Sequence, residues 1–307
     1  TADIITAGGT ITLVANTGIA DSTGSAGLDI DSSTGNVSLT NDGTTAGTFV
    51  DYVSAQADSF GLTVVATTDS GNVTFDSLST GILTLTSVNT AVNDLTVTAD
   101  GNVIATDVDT TTGTLTLATS SGTMVLNDID STEGAMNIDA TSAITVTAVN
   151  STTGEINIET SGASDIAIAA AGIGSTSGNV IVTANNAGGT ITLADGTDKI
   201  TVAGADADVT LSAGATIAVT GGADNDVDID AGGTISLTAD TITAVDVEAL
   251  DTLVIGDTGA GAITVDELTG STIAATTITV GNDGFGTIDI AYSGGNAVDI
   301  NDDHALN

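Results

Sequence analysis

Apolar and polar residues alternate along most of this chain. In TLTLA (114–118) Leu115 and Leu117 point one way and Thr114 and Thr116 the other, the period-two signature of a half-buried strand. The alternation recurs in TITLVA (10–15), GNVTFDS (71–77), GILTLTS (81–87), DLTVTA (94–99), DVTLSAG (208–214), TISLTA (234–239) and AITVDEL (262–268). The β-branched Thr, Val and Ile that fill these runs suit a pleated, half-buried surface. Gly, Asn, Asp and Ser separate the runs and supply corners. The pattern predicts an all-β chain.

Four versions of one phrase lie between residues 110 and 194. They read TTTGTLTLA (110–118), DSTEGAMNIDA (130–140), NSTTGEINIET (150–160) and GSTSGNVIVTA (174–184). Their glycines are Gly113, Gly134, Gly154 and Gly178, so the steps are 21, 20 and 24. A second short strand follows each phrase, as in GTMVL (122–126) and AITVTA (143–148). Short strands repeating at this period are the mark of a repeat array. A sandwich or a barrel also has frequent short strands. The repetition, the absence of proline and the small aliphatic core residues favour a parallel β-helix (β-solenoid) of about 20 residues per coil. Its coils must stack, because one coil alone buries too little apolar surface to offset the entropy of ordering it.

No linker or shift in composition marks a boundary, so the expected organisation is a single domain over 1–307. The stretch 44–62 departs from the alternation. It holds three of the six aromatics, Phe49, Tyr52 and Phe60, and Val50, Val53 and Ala57 fall at helical spacing. An irregular insertion or cap is expected there.

Composition narrows the function. Forty acidic residues face one lysine and one histidine, for a formal charge of −39. Phosphate contacts need Lys and Arg, so a nucleic-acid partner is excluded. No apolar run is long enough for a membrane-spanning helix, so no membrane insertion is expected. Cysteine is absent, and with it any thiolate site. If about 15 coils stack at about 4.8 Å each, the charge is about one per 2 Å, near the linear density of duplex DNA. Such a surface gathers counterions.

Candidate chemistry is sparse. The aspartate pairs Asp29/Asp31 and Asp107/Asp109, the run Asp226/Asp228/Asp230 and Asp266/Glu267 could in principle serve acid–base catalysis. They lack a cationic or aromatic cleft residue beside them. His304 is three residues from the last residue given and is the only histidine. No catalytic residue and no enzyme activity are expected. Lys199 precedes a strand and reads as a surface residue in a local ion pair. GGADNDVDI (221–229) and GNDGFG (281–286) loosely follow a calcium-binding nonapeptide, with Asp224, Asp226, Asp228 and Asp283 as the candidate Ca²⁺ ligands. The competing reading is a diffuse counterion layer.

GNVTFDS, TGTLTLATSSGTMVL and TSAITVTAVNSTTGEINIE resemble the repeats of filamentous-haemagglutinin-like exoproteins and giant bacterial surface adhesins. The resemblance covers residues 62–300. It implies a right-handed parallel β-helix, export to the cell surface and a role in adhesion or matrix. The family's secretion domain carries Asn-Pro motifs, and this chain has no proline. Exposed end coils invite another chain. Together these features point to a structural subunit of a secreted, self-assembling extracellular filament, sheath or surface layer. Its partners would be copies of itself and divalent counterions. The alternative is a stalk segment of a surface adhesin whose binding domain lies elsewhere.

Overall fold

The structure is a computed structural model. It describes residues 72–90, 94–184, 186–194, 199–219 and 228–243, together with 4–6, 9–15, 19, 28–32, 35–41, 48–52, 59–66, 247–249, 252–257, 263–268, 277–282, 288–292 and 298–301. Among the described residues all regular structure is β-strand. The chain divides into two compact units, Thr1–Ala143 and Ile144–Asn307. Each is a parallel β-solenoid.

In the first unit one stack runs Ile4–Thr6, Leu28–Ser32, Thr48–Tyr52, Val73–Ser77, Leu95–Ala99, Leu115–Thr119, Met136–Ala140. A second runs Ile11–Ala15, Gly35–Asn41, Phe60–Ala66, Ile82–Thr90. Ile82–Thr90 then pairs with two shorter strands of the next coil, Asn102–Ala105 and Val108–Thr110. These pair onward with Met124–Leu126 and Ile129–Ser131. All these pairings are parallel. Of the stretch expected to be irregular, the structure describes Thr48–Tyr52 and residues 59–62, and the strands there belong to the two stacks.

Register partners show the period directly. Val73 pairs with Leu95, Leu95 with Leu115 and Leu115 with Met136, so the offsets are 22, 20 and 21. In the second unit Ile156 pairs with Val180, Val180 with Val209, Val209 with Ile235 and Ile235 with Leu253. Those offsets are 24, 29, 26 and 18. The strands of this stack stay between 4 and 6 residues long, so the difference lies in the residues between them.

Alternation becomes inside and outside. Val73–Ser77, Leu95–Ala99, Leu115–Thr119, Ile156–Thr160, Val180–Ala184 and Val209–Ala213 all alternate buried and half-buried positions. Because pairing is parallel and in register, each inward residue stacks on its counterpart. Val73, Leu95, Leu115 and Met136 form one buried column, and Phe75, Val97, Leu117 and Ile138 another. Burying each such side chain contributes about 1.5–3 kcal/mol.

The repeated phrase is a corner. Its first hydroxyl residue is buried, as at Thr110, Ser131, Ser151 and Ser175. Ser131 Oγ donates to the Gly134 carbonyl at 2.7 Å, and Gly178 N–H donates to Ser175 Oγ at 2.9 Å. Thr110 and Ser151 make no such bond, so the hydroxyl is not what fixes the motif. The glycine is. A Cβ on Gly134 would come within 1.8 Å of the Gly113 carbonyl oxygen, and one on Gly178 within 2.1 Å of that of Gly154. Gly81, Gly101 and Gly122 stack in the same way at another corner. Backbone lies on backbone there, and only hydrogen fits between the coils.

Gly134→Ala therefore lowers stability by about 2–3 kcal/mol, whereas Gly188→Ala, with nothing near its Cβ position, stays within about 0.5 kcal/mol. Urea midpoints of the two variants against the parent check the difference.

Candidate functional site

Stacking that piles leucine on leucine inside also piles carboxylate on carboxylate outside. Val108 pairs with Ile129, so Asp109 lies over Asp130. Val108 N–H donates to the Asp128 carbonyl at 3.0 Å, which sets Asp107 over Asp128. The four aspartates form one outward acidic cluster in the first unit. Burial pushes the Asp109 carboxyl above its ordinary range, and the negative charges of Asp107, Asp130 and Asp128 push it the same way.

A second acidic place is an open groove of about 220 Å³ lined by Asp76, Asp100 and Asp139. Its carboxylates are spaced by hydroxyls and a small residue. One column reads Asp76, Thr98, Ala118, Asp139 in successive coils. Thr98 Oγ1 donates to Asp76 Oδ1 at 2.5 Å, and Ser120 Oγ donates to Asp100 Oδ1 at 2.8 Å. The same column runs back from Asp76 through Asp51 and Asp29, which hold the matching positions of the two preceding coils. Among the described residues, no three of His, Cys, Asp and Glu are arranged to hold a metal ion.

Other acidic and amide side chains bridge coils. Asp94 Oδ1 accepts the Thr114 N–H at 2.9 Å, and its Oδ2 accepts from Asn72 Nδ2 at 3.0 Å. Asn102 Oδ1 accepts the Thr123 N–H at 2.8 Å. In the second unit Asn179 Oδ1 accepts the Asp208 N–H at 2.9 Å, and Asp208 Oδ1 accepts the Thr234 N–H at 2.7 Å. Apart from the side-chain bond between Asn72 and Asp94, each bridge satisfies a backbone donor that the corner takes out of the ladder.

Of the candidate calcium ligands, Asp224, Asp226 and Asp283 lie outside the described residues, as does His304. Asp228 is described and is buried, with its carbonyl accepting the Ile200 N–H at 3.0 Å. Asp230 sits in the strand Ile229–Ala231, in register with Thr201 and Glu248. Asp266 and Glu267 sit in the strand Ile263–Leu268. Lys199 corrects the expectation of a surface residue: it is buried. Alternation assigns faces within strands, and Lys199 precedes one, where the path of the corner decides. Sequence reasoning also missed that Asp128 and Asp130 join Asp107 and Asp109. Moving each of the latter forward by one period, the step from Gly113 to Gly134, would have found them.

No protein-family model, curated protein or solved structure matches the chain.

Asp109 has a raised folded pKa, so the native state holds its proton more tightly than the unfolded state, and stability falls as pH rises through that window. Asp109→Asn therefore stabilises at neutral pH. The gain vanishes as pH falls to the ordinary Asp value of 3.8, and thermal midpoints across pH 3–7 follow it. Asp94→Ala removes two bridges and costs about 1–2 kcal/mol, while Asp94→Asn keeps the acceptor and costs less, as urea midpoints will show.

Proposed function

We propose that this chain is a structural subunit of a secreted, self-assembling extracellular filament, sheath or surface layer. The observation that carries the reading is parallel, in-register pairing from coil to coil. A parallel coil satisfies its backbone only through the coils above and below, so its outer edge accepts a further coil of the same kind. That coil is supplied by a second copy in the filament reading. The resemblance to exported haemagglutinin-like repeats supports the extracellular setting. The stacked outward aspartates support divalent counterions as partners, since they let densely negative copies approach each other. Calcium is the cation proposed.

The same edge is consistent with a stalk segment, in which further coils come from a longer chain carrying a binding domain elsewhere. Negative-stain electron microscopy of the purified chain, with calcium and with a chelator, separates the two. Long uniform fibres that need calcium are the expected result. Isolated particles in both conditions count against the filament and favour the stalk.

A further inference from the structure

Lys199 is the chain's only Lys or Arg, and it does not sit among the outward carboxylates. It is 4% exposed. An ammonium is almost never so buried without a partner, because an uncompensated charge in a low-dielectric interior is costly. The register identifies its neighbours. Ile200–Val202 pairs on one side with Ile173–Ser175 and on the other with Ile229–Ala231. Ile173 N–H donates to the Lys199 carbonyl at 2.8 Å, and Ile200 N–H donates to the Asp228 carbonyl at 3.0 Å. Lys199 thus stacks between Gly172 and Asp228.

Both neighbours suit a buried cation. Gly172 has φ +74°, and a Cβ there would come within 2.1 Å of the Lys199 carbonyl oxygen, so this coil adds no side chain to the position. Asp228 adds a carboxylate and is itself only 3% exposed. Two opposite charges, each nearly excluded from water, occupy matching corner positions of adjacent coils. We propose that Lys199 and Asp228 form a buried ion pair that fixes the register between these two coils of the second unit.

The pair sits where such a device is needed. In the first unit the coil offsets from Val73 to Met136 stay within one of 21. Around Lys199 they reach 29 and 26. Longer corners let a strand slide, and a slip of one residue turns its aliphatic side outward. A buried ion pair penalises the slipped register twice, by separating the charges and by leaving each alone. The inference is independent of the filament reading, and it gives Asp228 a role other than cation ligand.

The test uses the full chain, with Lys199 as its only side-chain amine. An amine-reactive ester, with labelling read by peptide mass spectrometry, should modify Lys199 about tenfold or more slowly in the native protein than in urea. Asp228→Asn should speed native labelling and lower the thermal midpoint by about 5 °C or more. Lys199→Met should lower the midpoint similarly, and the double variant, with no lone charge, should recover most of the loss. Single variants that fail to fold beside a double variant that folds also support the pair. The proposal is overturned if the double variant loses the sum of the single losses or fails to fold. Native labelling as fast as in urea, or a wild-type midpoint and labelling rate in Asp228→Asn, overturns it equally.

Discussion

Each solenoid unit rests on one constraint: a coil finds its backbone partners only in the coils directly above and below. At about 4.8 Å between strands, every side chain faces the residue one period away more closely than most others. Inside, this rewards repetition, because columns such as Val73, Leu95, Leu115 and Met136 pack aliphatic on aliphatic without specific shapes. At the tightest corners it forbids side chains altogether, which is why Gly134 lies on Gly113 and Gly178 on Gly154.

The same rule works against the chain on its outer surface. A chain with 40 acidic residues and one lysine must place like charges in register, and Asp109 over Asp130 is the result. The structure moderates this in two ways. Some columns interpose hydroxyls or small residues, as Thr98 and Ala118 separate Asp76 from Asp139. Elsewhere the carboxylate is structural, as where Asp94 and Asp208 accept backbone N–H groups of the next coil. Acidity here is partly a surface property and partly a set of corner bridges.

Two kinds of register control then appear. Where the period is steady, glycine stacking and aliphatic columns hold adjacent coils. Where corners lengthen, as around Lys199, the period no longer helps, and a charge pair between neighbouring coils is a more selective lock than further apolar contact.

The strands, their inward faces and the period in the first unit were legible in the sequence, because alternation and glycine spacing are local signals. Leu115 and Leu117 face inward for the reason their spacing indicates, and the step from Gly113 to Gly134 equals the offset between Leu115 and Met136. Which residues meet across coils was decided by tertiary structure, because it depends on corner lengths summed over a whole turn. The meeting of Asp109 with Asp130 follows the glycine step, but only the stacked structure turns that step into a contact. The burial of Lys199 beside Asp228 needed the path of the corners themselves, which no alternation encodes, because a residue outside a strand has no pleat to assign it a side.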